Sequence, residues 1–238
     1  MDEKWCRNEL SKPQEEDESH TLGERLWSGN PKKFIKIVAF GQSLLNLWKT
    51  DDSNKLSEKL LELKNDTFSN AYYELRCAEY YDKKLDKIEF IETREDIKSP
   101  DFRIFSNKET AVVECKKKSE GSTDLENNIL DASAQLKANF EGHKETGVIF
   151  IELGPEHKID PEKIEEDIRF YLRNKKWVTG VVLTKERLNE LKDERLSYKT
   201  ESKFIENPNA EYKLPETILD KTKDMYFLPS TSLQERFS

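Results

Sequence analysis

The chain has 238 residues, enough for one substantial domain with an appendage. Charged residues make up 37% and hydrophobic ones 35%, with mean hydropathy −0.88; the clear apolar runs still exclude wholesale disorder. A net charge of −8 excludes the uniformly basic surface of a tight duplex-DNA binder, leaving only local clusters such as Lys116-Lys117-Lys118, Lys175-Lys176 and residues 185–187.

Residues 1–30 are polar and acidic, notably Glu15-Glu16-Asp17-Glu18, with Gly23 and Gly29 breaking regularity. Trp5 and Trp27 predict that part of this segment packs. Residues 34–48 read as a helix carrying Leu44, Leu45, Leu47 and Trp48, and residues 54–63 as a second, amphipathic one. Residues 1–66 thus form an N-terminal, largely helical accessory region. Asp66-Thr67 offers a cap to a third helix, in which Ala71, Leu75 and Ala78 share the inward face and Glu74 lies at its edge.

The core is expected over residues 67–196. Residues 85–91 alternate around Ile88 and Phe90 as a half-buried strand. Pro100 suits the start of a strand over 101–106, because proline cannot donate to a ladder. Residues 107–109 read as a hairpin turn into a strand over 111–116. Side chains alternate along a strand, so Glu114 and Lys116 share a face with Val112 while Ala111, Val113 and Cys115 line the other. Antiparallel pairing brings Asp101 beside Glu114. Two carboxylates that close repel unless a cation lies between them, and hard oxygen ligands favour Mg²⁺ or Mn²⁺.

Gly121-Ser122-Thr123-Asp124 breaks the chain before a helix over 125–140. Residues 147–153 form an apolar, buried strand. Pro161 opens a helix whose Ile164, Ile168, Tyr171 and Leu172 share a face, and residues 178–184 give a second buried strand. From residue 197 onward Pro208, Pro215 and Pro229 interrupt short apolar pieces such as 225–228, which predicts an irregular C-terminal extension over 197–238.

Pro100-Asp101, with Glu114-Cys115-Lys116 thirteen residues after the aspartate, resembles the signature of the PD-(D/E)xK nuclease superfamily. The resemblance covers about the central half of the chain. It implies an α/β, restriction-endonuclease-like core, a mixed central sheet flanked by helices in the order α-β-β-β-α-β-α-β, with an N-terminal helical extension. The implied activity is Mg²⁺- or Mn²⁺-dependent hydrolysis of DNA phosphodiesters by an endonuclease, with RNA as the alternative substrate. By the same resemblance Asp101, Glu114, the Cys115 backbone carbonyl and Glu74 hold the metal, and Lys116 orients the attacking water. One subgroup places a catalytic glutamine on the next helix, followed four residues later by tyrosine. Gln135 takes the first position here, and Asn139 stands at the second.

Other readings of the same residues stand beside this one. An E-x-K string arises by chance on a charged edge strand. Glu74 reads equally as a solvated helix residue, and Gln135 as a surface one. A non-catalytic scaffold that keeps the fold and binds a protein partner through its acidic surface or C-terminal extension is the second reading, and a nuclease that cuts both strands suits a homodimer with two sites. His20, His143 and His157 adjoin no nucleophile motif, which excludes a triad hydrolase, and no Gly-rich phosphate loop occurs. The Cys115 side chain faces the apolar side of its strand, which predicts structural burial. Cys6, Cys77 and Cys115 lack zinc-site spacing. With no signal-like N-terminus and no membrane-length apolar stretch, they suit a reducing cytoplasm and no membrane association.

Overall fold

A computed structural model of the chain describes residues 41, 43–47, 56, 68–82, 85–91, 99–117, 125–143, 145–154, 161–190 and 196–223. The elements from residue 68 onward are α1 (Phe68–Asp82), β1 (Lys87–Phe90), β2 (Phe102–Ser106), β3 (Glu109–Lys117), α2 (Leu125–His143), β4 (Gly147–Leu153), α3 (Pro161–Leu172), β5 (Val178–Glu190), β6 (Leu196–Glu206) and α4 (Glu216–Lys223). The predicted α-β-β-β-α-β-α-β order is present, extended by one strand and one helix.

The strands form a six-stranded mixed sheet in chain order, β1-β2-β3-β4-β5-β6. β1, β2 and β3 run antiparallel, β3, β4 and β5 are parallel, and β6 returns antiparallel to β5. Asn107 and Lys108 close the β2–β3 hairpin at φ 52° and 71°, with Ser106 opposite Glu109. Positive φ at both central residues marks a two-residue type I′ turn, whose twist matches that of the strands. The two parallel crossovers step in the same direction across the sheet. Their shared handedness puts α2 and α3 on one face.

The core is split accordingly. On one face Ala111, Val113, Cys115, Val148 and Phe150 pack under α1 and Ile218 of α4. On the other, Val112, Ile149, Ile151 and Val181 meet Ile129, Leu136, Ile168 and Leu172 of α2 and α3. The alternation predicted for residues 111–116 is therefore realised, with β3 buried on both faces and β4 buried throughout.

α1 is buried almost all round, including Tyr72, Tyr73, Tyr80 and Tyr81. Leu47 and Leu56 join its cluster, and the Ser43 hydroxyl and Asn46 amide donate to Glu79 on α1. Gly41, residues 43–47 and Leu56 are helical. The remainder of both predicted N-terminal helices, together with Trp5, Trp27 and Cys6, lies outside the described residues, as do residues 225–228.

The expectation of an irregular segment after residue 197 is corrected. Residues 196–206 form β6, paired with β5 from Gly180↔Glu206 to Glu190↔Leu196. α4 then docks on α1, where the Tyr80 hydroxyl donates to the Lys221 carbonyl and the Tyr81 and Thr222 hydroxyls lie 2.9 Å apart. Proline stops fewer elements than its count suggests. Pro215 sits just outside α4, where its carbonyl accepts from the Ile218 and Leu219 amides and so opens the helix. Among the described residues no helix is long and apolar enough to cross a membrane.

Candidate active site

β2 ends before β3 does. Phe102 pairs with Val113, so Glu114, Cys115 and Lys116 run past the start of β2 while remaining paired to Ile149, Phe150 and Ile151 of β4. Asp101 occupies the gap. Its amide donates to the Val113 carbonyl and its carbonyl accepts from the Ile91 amide, both at 3.0 Å. Pinned on both sides, it turns its side chain to β3, where the Cys115 amide donates to Oδ2 at 2.7 Å. A residue's N–H and C=O leave an antiparallel strand on the same edge. The Cys115 carbonyl therefore faces the Asp101 side, beyond the end of the β2 ladder.

Glu114 points to the opposite face from Cys115 and is 1% exposed. Its Oε1 lies 2.7 Å from Lys116 Nζ, and a carboxylate buried to this degree requires such a partner. The same ammonium donates to Gln135 Oε1 at 2.7 Å, and Gln135 Nε2 donates back to the Ser99 carbonyl at 3.2 Å. Gln135 thus clamps the lysine to the residue preceding Pro100. Burial pulls the Lys116 pKa down, but Glu114, then Asp101 and Asp131, outweigh it and hold the ammonium above the ordinary lysine value.

Asp101, Glu114, Lys116 and Gln135 are thereby gathered into one array. Glu74 approaches from the other face of the sheet. It is buried on α1, which removes the solvated-glutamate reading. Burial raises the Cys115 thiol well above its usual pKa, with further contributions from Cys77, Asp101 and Glu74. A thiol held protonated is a poor nucleophile, and Cys77 and Cys115 are both free and buried. Cys115 is a packing residue, as its position on the strand implied.

Several further polar residues surround this array. Asp131 stands one helical turn before Gln135, a spacing that places both on one flank of α2 and was readable in principle. On the α1 face Lys117 Nζ lies 3.3 Å from Glu152 Oε2, and the Tyr73 hydroxyl lies 2.8 Å from Thr184 Oγ1. Burial, then the nearby cysteines and Glu152, push the Tyr73 pKa well up. Glu152 sits inside an apolar run, where only the parallel pairing of Lys117 with Glu152 reveals its partner.

Two carboxylates and a backbone carbonyl are hard oxygen donors of the kind Mg²⁺ and Mn²⁺ take, with water completing the shell. Among the described residues no group of three or more His, Cys, Asp or Glu side chains forms a metal-binding cluster. A cation here would therefore rest on Asp101, Glu114 and the Cys115 carbonyl. No family model, curated protein or solved structure matches this chain.

Proposed function

We propose that the chain is a Mg²⁺- or Mn²⁺-dependent nuclease of the PD-(D/E)xK type, an endonuclease hydrolysing DNA phosphodiester bonds. The observation that carries this reading is the convergence of Asp101 on β3 beside the Glu114–Lys116 pair, with Gln135 fixing the lysine. The sheet order and the helix before it agree with a restriction-endonuclease-like core.

A divalent cation, when bound, polarises the phosphate and lowers the pKa of a coordinated water. Asp101 and Glu114 supply the charge that holds it. Lys116 has three ammonium hydrogens, of which Glu114 and Gln135 engage two. The third is left for the attacking water or a phosphoryl oxygen. Since Lys116 is held above the ordinary lysine pKa, it remains protonated at neutral pH. Its role is to orient water and offset charge developing on the phosphoryl oxygens, not to remove a proton. Gln135 positions it by restricting where the ammonium swings.

The test is incubation with circular single-stranded, circular duplex and linear DNA, and with RNA, with and without Mg²⁺ or Mn²⁺. The expected result is metal-dependent cleavage of circles by the wild type and none by Asp101→Asn. Gln135→Ala should retain a rate about tenfold lower, the scale of one lost hydrogen bond to a charged group. Full activity of Asp101→Asn, or no cleavage by the wild type with either metal, overturns the proposal. The net charge of −8 favours one competing reading, a scaffold that binds a protein partner. Calorimetric titration with Mn²⁺ separates the two, since the scaffold binds none.

A further inference from the structure

The site above leaves unused the basic segment Arg173-Asn174-Lys175-Lys176-Trp177. Residues 168–185 contain Arg169, Arg173, Lys175, Lys176 and Lys185 and no acid, in a chain with 48 acidic and 40 basic residues. The fold turns this run into a surface. Phe170, near the end of α3, is 56% exposed, and the Arg173 guanidinium lies 4.1 Å from its ring centroid. Trp177, in the turn before β5, is flanked by Lys137 and Lys175, with Nζ at 5.5 Å and 5.8 Å from its ring. Among the described residues Arg173, Lys175 and Lys176 enter no ion pair. Lys137 pairs with the exposed Glu141 at 3.4 Å, a contact that adds little in water.

The patch is joined to the candidate active site through α2. The Trp177 indole donates to the Ser133 carbonyl at 2.6 Å, and two residues further along the helix Gln135 bonds Lys116 from the other flank. A helix with its side chains is about 10–12 Å across, so the two features lie about one helix diameter apart. The exposed helix surface between them includes Ala134, whose small side chain presents little obstacle to a passing backbone.

Aromatic rings interleaved with cations are the recognition chemistry of a single nucleic-acid strand: the rings stack unpaired bases and the cations follow the phosphates. A duplex hides its base faces and gains only the charge. We propose that the Phe170–Arg173–Lys175–Trp177 surface docks single-stranded nucleic acid and leads the strand across α2 to Lys116. This deepens the nuclease reading and rests on it for the direction of the strand, but the binding it predicts stands alone.

The experiment is fluorescence anisotropy of a labelled 20-nucleotide strand (a length chosen to exceed the site sizes of about 4–16 nucleotides seen per binding module) in EDTA. The same strand annealed to its complement is the duplex arm. Phe170→Ala should weaken single-strand binding about tenfold, the scale of one base stacked on one ring, with a smaller effect on the duplex. Arg173→Ala and Lys175→Ala should each lower the slope of log affinity against log salt by about 0.7. Asp101→Asn should bind as the wild type while failing to cleave, so a failure of the nuclease reading leaves this result intact. The three substituted residues reach solvent, and melting curves are to check that each variant folds. Single-strand binding unchanged in Phe170→Ala, equal losses on both arms, or no binding by the wild type would each overturn the proposal.

Discussion

Lys116→Met isolates the central electrostatic claim. The substitution keeps an unbranched side chain about as long as the lysine's aliphatic stem and removes the ammonium that sits 2.7 Å from Glu114 Oε1. Glu114, 1% exposed, is then left as a buried carboxylate facing a methyl group. Breaking a buried pair in this way costs about 3–5 kcal/mol. Protonation sets a ceiling on that figure. Neutralising a carboxyl of ordinary pKa about 4.3 at pH 7 costs about 3.7 kcal/mol, at about 1.36 kcal/mol per unit, and the lost bond to Gln135 adds about 1 kcal/mol. At pH 5 neutralisation costs only about 1 kcal/mol by the same arithmetic.

Urea unfolding of the wild type and Lys116→Met at both pH values reads this directly. The expected loss is about 4 kcal/mol at pH 7 and about 2 kcal/mol at pH 5. The sign follows from the stranded carboxyl, whose folded pKa rises above its unfolded value, so the variant regains stability as the pH falls. Adding Glu114→Gln to Lys116→Met removes the stranded charge, and the double variant should be more stable than the single one at pH 7. A loss under about 1 kcal/mol, equal at both pH values, would refute the reasoning. It would mean that water reaches Glu114 and that the strands enclose no pocket.

Arg103 pairs with Glu145, its Nε 2.7 Å from Oε1 and its Nη2 donating to Oε2 at 2.8 Å, and the Asn139 amide donates to the same oxygen at 3.0 Å. Arg103→Ala should therefore cost about 1.5–3 kcal/mol at neutral pH by urea unfolding. Burial alone would raise the Glu145 pKa, but Arg103 and Asn139 outweigh it and hold it below the ordinary carboxyl value of 4.5. The stabilisation is complete above that value and is lost as the pH falls through the lowered one, so the two curves should converge in acid. A Cβ on Gly180 would lie 2.6 Å from the Ile205 carbonyl oxygen and 2.7 Å from the Phe204 ring. Gly180→Ala should lose about 1–3 kcal/mol, whereas Gly142→Ala, with nothing within 4 Å, should lose nothing in thermal melts.

Local pattern was enough for β3 because one strand buried on both faces announces itself. Ala111, Val113 and Cys115 alternate with Val112, Glu114 and Lys116, and each set found the face that the period of two assigns. The β5–β6 hairpin was not legible for the opposite reason. Residues 185–190 are rich in helix formers, and residues 196–206 place few apolar anchors on either face. The ladder from Lys185↔Glu201 to Glu190↔Leu196 overrides those propensities, as pairing in a sheet commonly does. An edge strand also tolerates the polar side chains that disguised it. The Gln135–Lys116 contact depends on how far α2 slides along the sheet, a quantity fixed by Leu136 and Ile129 packing on Val112 and Ile149 and by nothing local. Glu74 is buried on a helix that packs on the sheet, near enough to Cys115 to raise its thiol pKa, a tertiary fact with no trace in the helix itself.

Asp101 has two duties, and they decide which variant can test the site. Its Oδ2 accepts the Cys115 amide where β2 has ended, so the carboxyl completes the backbone of β3 as well as facing the candidate metal position. Asp101→Ala removes both functions at once. The Cys115 amide then loses its acceptor, at a cost of about 1–3 kcal/mol if water cannot replace it, and β3 loosens at the residue between Glu114 and Lys116. Loss of cleavage in that variant would carry no information about metal binding. Asp101→Asn keeps an oxygen for the amide and removes only the negative charge. Its stability in the absence of metal should match the wild type within about 0.5 kcal/mol, and the stabilisation by mass action that the proposed site predicts for the wild type in Mg²⁺ should be absent. Thermal melts with EDTA and with Mg²⁺ measure both quantities on the same sample. If Asp101→Asn gains as much from Mg²⁺ as the wild type does, the cation binds elsewhere, and Asp101 is only the acceptor that finishes the strand.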